Sequence, residues 1–242
     1  MAFIRGPNIV TSGLAFYLDA GNRKSYPGTG TTWRDLSGNN YNGTLNNFGT
    51  PFTNTNGGAI AFDGTNDYVG VSNSFSHPST NSFTISFWQK SVIKSSTNFN
   101  SFISSRQLTT PYTGILITQD FEANRSDYLR VQLNSTTTVN QYNLGTLKMP
   151  NNIFCNITIS VNRNSNLMSW YINSIFDSQY DISGLGSILS THALEIGRDE
   201  AYVPNSNAFF TGNIAQISIY NRSLSASEVL QNFNATKTRF GL

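Results

Sequence analysis

Residues 83–88 read Phe-Thr-Ile-Ser-Phe-Trp, and this short stretch decides the fold class. In an extended chain, the apolar side chains of Phe83, Ile85 and Phe87 fall on one face, and the two hydroxyl residues between them fall on the other. Such alternation predicts a β-strand with one apolar face turned toward a core. Aromatic and β-branched residues at these positions are also the ones that strands favour.

The same alternation recurs along most of the chain. Further runs occur at residues 14–18, 59–62, 68–71, 102–103, 115–117, 128–133, 154–161, 167–172, 194–196 and 214–220. The Asn-rich segment 162–166 lies between two of these runs, which predicts a hairpin. About a dozen short strands joined by turn-rich links predict an all-β fold, a two-sheet antiparallel jelly-roll sandwich.

One short helix is predicted near the C-terminus, over about residues 226–234. Ser225 and Glu228 have the spacing of a capping box, in which each side chain accepts from the other residue's backbone N–H. An apolar stripe that would dock the helix on the sandwich is formed by Leu224, Val229, Leu230 and Phe233.

Composition and charge narrow the class of protein. The chain has 242 residues, 38% of them hydrophobic and 12% charged, with a net charge of +2. Its basic residues are scattered, so the clustered positive charge of a nucleic-acid-binding protein is missing. No shift in composition divides the chain. We therefore expect one sandwich domain at residues 13–235, with an N-terminal arm at residues 1–12 and a C-terminal tail at residues 236–242.

Export and membrane insertion have no signal in the sequence. The first residues lack the apolar core of a signal peptide, and no stretch approaches the ~18 apolar residues of a membrane span. We expect synthesis in a cytoplasm. The single cysteine, Cys155, lies in an alternating run and is expected to be a buried thiol. No phosphate-binding loop, zinc-ligand spacing or catalytic triad occurs.

The segment from Asp63 to Asp67, Asp-Gly-Thr-Asn-Asp, is the first candidate site. Asp63, Asn66 and Asp67 offer the hard oxygen ligands that calcium prefers. The same residues are turn formers in their own right, and they would also suit hydrogen bonds to sugar hydroxyls. Three alternatives are therefore open: a turn alone, a calcium site, or direct ligand contact.

Aromatic residues in loop-like sequence are the second candidate site. Sugar binding uses exposed rings that stack on pyranose faces, with amides and carboxylates beside them. Trp33, Tyr41, Tyr112 and Tyr202 have such surroundings. The alternative is that these rings pack as lids over the core.

Glycoside hydrolysis needs paired carboxylates at a set separation. Asp120 and Glu122 would lie about 6.5 Å apart on a strand, which is within the inverting range. However, a polar, loop-like sequence follows them, and the Glu-x-Asp-x-Glu pattern of glucanases is absent. The second acidic group, at residues 195–200, is interleaved with Arg198, so ion pairing accounts for it. We expect no enzymatic activity.

An ordered set of motifs resembles the laminin G-like (concanavalin A-like lectin/glucanase) family over residues 13–236. The segments that carry this resemblance are Gly13-Leu-Ala-Phe-Tyr-Leu-Asp19, Trp33-Arg-Asp-Leu-Ser-Gly-Asn39, Asn42-Gly-Thr-Leu45, Ile60-Ala-Phe-Asp-Gly-Thr-Asn-Asp-Tyr-Val69, Phe83–Trp88, Phe210-Thr-Gly-Asn-Ile214 and Ile219-Tyr-Asn-Arg-Ser-Leu-Ser225. The family often carries a calcium-binding Asp at the position of Ala215, and this departure weakens the case for calcium.

The final segment, residues 234–242, resembles the ending of such domains in bacteriophages of marine bacteria. That resemblance implies an accessory structural protein of the virion: a capsid decoration, fibre or tail component. Its partners would be other virion proteins and host-surface glycans, and the protein would be oligomeric or particle-bound. The arm and the tail would attach it to the particle, or else they would cover an edge of the sandwich. The alternative is a stand-alone carbohydrate-binding module or adhesin, and a glycoside hydrolase is a disfavoured third.

Overall fold

Two eight-stranded antiparallel sheets lie face to face in this computed structural model, which describes residues 7–71, 78–94, 100–120, 124–136, 139–142, 145–202 and 208–242. Sheet 1 contains, in spatial order, β14 (Ile175–Asp181), β13 (Leu167–Ile172), β12 (Cys155–Asn162), β7 (Phe83–Ser91), β16 (Thr211–Tyr220), β5 (Ala59–Asp63) and β4 (Phe52–Thr53), and β1 (Leu14–Asp19) also pairs with β16. Sheet 2 contains β11 (Val139–Tyr142), β10 (Leu129–Asn134), β9 (Gly114–Gln119), β8 (Ser101–Ser104), β15 (Glu195–Ile196), β6 (Tyr68–Val71), β3 (Gly43–Asn46) and β2 (Thr32–Trp33). The predicted fold class is confirmed.

The long strand β16 organises sheet 1. One of its edges pairs with β7 along most of the length of both strands. The other edge pairs first with β5, through Thr211–Ile214, and then with β1, through Gln216–Tyr220. A single strand therefore joins segments from the beginning, the middle and the end of the chain.

The core lies between the two sheets, where the alternation of the sequence placed it. Phe83, Ile85 and Phe87 are each at most 2% exposed. On neighbouring strands, Ile157 is paired with Phe87, and Ile159 with Ile85, so their side chains extend the same apolar face. The hairpin predicted at residues 162–166 joins β12 to β13.

The outer face of sheet 1 is polar but largely covered. Thr84 is fully buried, and its hydroxyl donates to the carbonyl of Arg222 and accepts from the N–H of Leu224. Ser160 donates to the carbonyl of Leu224 at 2.9 Å. These hydroxyls satisfy the backbone groups of the segment that leads into the helix, and so they fix the helix on the sheet.

The predicted helix is confirmed as α1 (Ala226–Thr236), with both hydrogen bonds of the capping box. Val229 and Phe233 are buried, and the ring of Phe233 stacks on Trp88 with centroids 5.7 Å apart. The inclusion of Leu230 in the docking stripe is wrong, because its side chain is 47% exposed. It lies just off the buried face that Val229 and Phe233 define.

Both ends of the described chain pack against sheet 1 and α1. In the arm, the Val10 N–H donates to the Asn232 side chain at 2.7 Å, and the Tyr220 hydroxyl donates to the Val10 carbonyl. In the tail, Phe240 stacks on Trp88 with centroids 4.0 Å apart, and Arg239 forms a 2.6 Å ion pair with Asp19. These contacts agree with the alternative in which the arm and the tail cover an edge of the sandwich. Residues 1–6 of the arm lie outside the described residues.

Among the described residues, no helix has the length and apolar character that crossing a membrane requires.

Candidate functional site

A cleft of about 560 Å³ opens beside β1 and the end of β16. Its apolar lining, called the floor here, comes from strands β1, β7 and β16 of sheet 1. Around the rim stand hydroxyl and amide side chains. The floor is formed by Leu14, Ala15, Phe83, Ile219 and Tyr220, and the polar rim by Thr11, Asn39, Tyr41, Asn81, Ser82 and Asn221. A concave lining that combines apolar side chains with hydroxyl and amide groups can hold a small ligand.

The loop that presents Asn39 and Tyr41 is organised by one carboxylate, that of Asp35. Its Oδ1 accepts from the Tyr17 N–H at 2.9 Å, which ties the loop to β1. Its Oδ2 accepts from the Tyr41 N–H at 3.1 Å and from the Ser37 hydroxyl at 2.7 Å. Asn39 is held in turn, because its amide nitrogen donates to the Ala15 carbonyl at 2.9 Å. The rim is therefore fixed before any ligand arrives, which lowers the entropy cost of binding.

Gly13 lines the cleft at a position where only glycine fits well. Its φ of 76° lies in the left-handed region, which glycine adopts without steric cost. A Cβ at this position would lie only 2.8 Å from the Asn221 side-chain oxygen. Glycine therefore permits both the backbone turn and the close approach of the Asn221 amide.

The described residues that line the cleft are all uncharged. Among the described residues that line it, none is an Asp, Glu, Lys, Arg or His. Acid–base hydrolysis of a glycosidic bond needs two carboxyl groups, and the described lining offers none. What the lining does offer is hydrogen bonds to neutral hydroxyl groups and an aromatic ring beside them.

The four aromatic residues expected to bind a ligand do not form one platform. Tyr41 lies at the cleft, partly buried against the core. The assignment of Trp33 is wrong, because its side chain is fully buried between the sheets, where no sugar could reach its ring. It belongs to β2, whose two residues are too few to show alternation in the sequence.

Tyr112 is not among the residues that line the cleft. Tyr112 adopts a φ of 54°, which is unusual for a bulky residue, and its ring is 5.7 Å from the Arg106 guanidinium. Tyr202 ends a short 3-10 turn, Glu200–Tyr202, and its side chain lies outside the described residues. Ligand contact by either residue stays a prediction.

The Asp63–Asp67 segment forms a tight turn whose carboxylates accept from its own backbone. Asp63 Oδ1 accepts from the Thr65 N–H at 2.7 Å, and Asp67 Oδ2 accepts from the Asp63 N–H at 2.9 Å. The backbone carbonyl of Asn66 accepts from the Asn47 side chain at 3.0 Å. Burial raises the pKa of Asp67 above its ordinary value. These contacts are those of the turn alternative.

A lysine lies beside the same turn. Lys94 Nζ donates to the Phe209 carbonyl at 2.5 Å and lies 3.4 Å from where a Cβ on Gly64 would stand. Burial lowers the pKa of Lys94 to about 8, and the nearby negative charge of Asp63 opposes that shift. A calcium ion at this turn would meet the positive charge of Lys94, so calcium binding here stays a prediction that the surroundings do not favour.

The outer face of sheet 2 carries a row of buried ion pairs. Asp199 is fully buried, and it pairs with Arg106 and accepts from the Ser104 hydroxyl at 2.8 Å. Farther along the face, the buried Asp120 pairs with Arg125 at 2.9 Å. Glu122, the other member of the expected carboxylate pair, lies outside the described residues.

The acidic group at residues 195–200 is ion-paired, as the sequence indicated. Arg198 NH2 lies 2.5 Å from Glu195 Oε1 and 2.8 Å from Glu200 Oε2. Asp199 pairs with Arg106 instead. Cys155 is fully buried as expected, and burial raises the pKa of its thiol to about 12, so at neutral pH it is no nucleophile.

Sequence reasoning missed most of the cleft. Asn39 ends the segment Trp33–Asn39, which carries part of the family resemblance, but its position at the cleft depends on Asp35. Asn81 and Asn221 come from segments that are far apart in the chain. Because asparagine is frequent throughout this chain, the sequence does not distinguish the asparagines that line the cleft from the others. Of the described residues that line the cleft, only Tyr41 was predicted to bind a ligand, because it is an aromatic residue in polar, loop-like sequence.

Two stacked antiparallel sheets with this strand order form a jelly-roll sandwich. The chain belongs to the concanavalin A-like lectin/glucanases superfamily, whose family model matches residues 63–230. No curated protein matches this sequence.

Solved structures share the fold at low sequence identity. The binding domain of Paraclostridial Mosquitocidal Protein 1 is 21% identical with a TM-score of 0.68, over 92% of this chain and 52% of that one. Domain 4 of AbnA, an extracellular GH43 arabinanase from Geobacillus stearothermophilus solved in complex with arabinotriose, is 16% identical with a TM-score of 0.64, over 92% of this chain and 98% of that one. The binding domain of botulinum neurotoxin serotype G is 18% identical with a TM-score of 0.63, over 91% and 50%. The chain thus spans about half the length of the two toxin binding domains and nearly all of the arabinanase domain.

Proposed function

We propose that this chain is a carbohydrate-binding module that holds a neutral oligosaccharide in the Tyr41 cleft and does not cleave it. The observation that carries the proposal is the lining of the cleft: amides and hydroxyls beside apolar strand residues, and no charged side chain among the described lining residues. Neutral sugars present hydroxyl groups that pair with such a rim, and apolar C–H faces that pack on a ring such as that of Tyr41.

One structural neighbour supports the same class of ligand. The arabinanase domain that this chain matches over nearly its full length was solved with arabinotriose, a short neutral oligosaccharide. The proposal that this chain is no enzyme rests on the uncharged cleft and on the ion pairing of the buried carboxylates Asp120 and Asp199, which engages both in structural contacts.

The test is a binding titration of neutral oligosaccharides by calorimetry, after a glycan array has identified a ligand. Tyr41→Ala removes an apolar contact worth about 1.5–3 kcal/mol if the ring is fully covered, which raises Kd roughly tenfold to a hundredfold. Tyr112→Ala is the matched control, since Tyr112 does not line the cleft. Asn81→Ala should weaken binding, and Asn164→Ala, an exposed asparagine in the β12–β13 hairpin turn, should not.

Two results would contradict the proposal. Loss of binding in Tyr112→Ala but not in Tyr41→Ala would move the ligand to the outer face of sheet 2. New reducing ends released from the bound oligosaccharide would show that the protein is a hydrolase.

We also propose a virion role for the module, on the sequence resemblance of residues 234–242. In this proposal it is a capsid decoration, fibre or tail component, made in the host cytoplasm and attached to other virion proteins. An attachment surface is available at edge strand β14, where Ile175 and Phe176 are 61% and 53% exposed. Mass spectrometry of purified particles tests the role, and Phe176→Ser should reduce incorporation. Absence of the protein from particles would leave the stand-alone module.

A further inference from the structure

We propose that His192, Glu195 and Glu200 form a zinc site on the outer face of sheet 2, separate from the cleft and independent of the proposed sugar binding. The three side chains place one ligating atom each within 4.8 Å of the others. An imidazole nitrogen with two carboxylate oxygens is a donor set that zinc accepts, and three protein ligands leave its fourth position open.

The two distances from His192 to the carboxylate oxygens fit one shared ion. His192 Nε2 lies 3.3 Å from Glu200 Oε2 and 3.7 Å from Glu195 Oε2. Tetrahedral zinc with bonds of about 2.1 Å separates its ligand atoms by about 3.4 Å. The longer distance exceeds a hydrogen bond, but both distances suit two ligands of the same metal.

A buried, unsatisfied atom points into this group. Glu195 is 3% exposed, and within the described part of the chain its Oε2 has no hydrogen-bond partner. The same holds for His192 Nε2. Leaving a buried carboxylate oxygen unsatisfied is costly, and a bound cation would remove that cost.

Neighbouring groups hold the ligands in place. Glu195 lies in β15 between paired strands β6 and β8, so its backbone is fixed. Its second oxygen, Oε1, accepts from Arg198, whose guanidinium stacks on the Tyr68 ring at 3.5 Å. The Arg198 contact therefore turns Oε2 toward His192. Arg198 also donates to Glu200 Oε2 at 2.8 Å, so a bound ion shares that oxygen with the guanidinium. Such outer contacts orient metal ligands. With two carboxylates and one arginine, the group carries a net charge of −1 while His192 is neutral, which favours a divalent cation.

The experiment titrates zinc chloride into the untagged full chain after dialysis against a chelator, followed by calorimetry and thermal melting. We expect one zinc ion per chain and a raised Tm. His192→Ala and Glu200→Gln should abolish both effects. Glu200 is the safer carboxylate to change, because its side chain is 35% exposed, and circular dichroism checks that each variant folds. His77→Ala, at the chain's other histidine, is the control and should bind zinc like the unmodified protein.

Two outcomes would overturn the proposal. If the unmodified chain binds no zinc, the three side chains and Arg198 form a charge network only. If zinc binding survives in both His192→Ala and Glu200→Gln, the ion is held elsewhere. Neither outcome bears on sugar binding, which is measured with the cleft variants.

Discussion

Replacing Phe240 by Ala tests whether the tail is a structural part of the sandwich. The Phe240 ring is 7% exposed, stacks on Trp88 with centroids 4.0 Å apart, and contacts Phe154 at 4.9 Å. Burying such a ring contributes about 1.5–3 kcal/mol, and each aromatic pair adds about 0.5–1.5 kcal/mol. We expect a loss of about 3 kcal/mol, at the lower end of the range for Phe→Ala in a core, because a chain end can detach rather than leave a cavity.

The assay is urea unfolding followed by tryptophan fluorescence and by circular dichroism, with thermal melting beside it. A loss of about 3 kcal/mol lowers Tm by roughly 6–12 °C in a chain of this size. Leu242→Ala is the control: its side chain is 46% exposed, so its effect should stay within about 0.5 kcal/mol. A loss below about 1 kcal/mol for Phe240→Ala would refute the reasoning and return the tail to the role of an attachment segment.

Three further outcomes are expected. Ser225→Ala removes the N-cap of α1 and should lower the free energy of unfolding in urea by about 1 kcal/mol. Ser227→Ala, two residues further along the chain, should lower it by less. Hydrogen bonding from Arg222 lowers the pKa of Glu228 to about 2. The resulting stabilisation is present above the ordinary carboxyl pKa and is lost as pH falls from about 4.5 toward 2. Glu228→Gln should therefore flatten the fall of Tm over that pH range, and an unchanged slope would contradict this reasoning. Calcium added to chelated protein should leave Tm unchanged, because the Asp63 turn is internally satisfied; a rise that Asp63→Asn abolishes would show a calcium site.

The strands that face the core on one side could be predicted from the sequence, because burial of one face imposes alternation. The capping box at Ser225 could also be predicted, since its two residues are only three positions apart in the sequence. Strand β14 was missed because it is an edge strand, and six of its seven side chains are at least partly exposed without an apolar repeat. Its Asp177 is buried and accepts from the Thr146 and Leu147 N–H groups, which approach from a distant loop, and from the indole N–H of Trp170 on β13.

The errors at the candidate site have the same origin. Trp33 resembled a loop aromatic because its strand has two residues, and its burial depends on both sheets. The choice between the two roles expected of the tail was open because Trp88, the partner of Phe240, is far away in the sequence. Asp35 received no role because the groups that donate to it belong to β1 and to its own loop. Contacts between distant segments leave no local pattern to detect.

The position of β16 near the C-terminus has a consequence for how the protein is made. Strands β1, β5 and β7 emerge from the ribosome long before the strand that pairs with all three. Until then, their unpaired edges and the apolar face of β7 are open to other chains. Pairings between opposite ends of a chain also form slowly. Newly made chains should therefore depend on a chaperone or a low synthesis rate, and truncation before residue 211 should yield aggregates rather than a smaller folded domain.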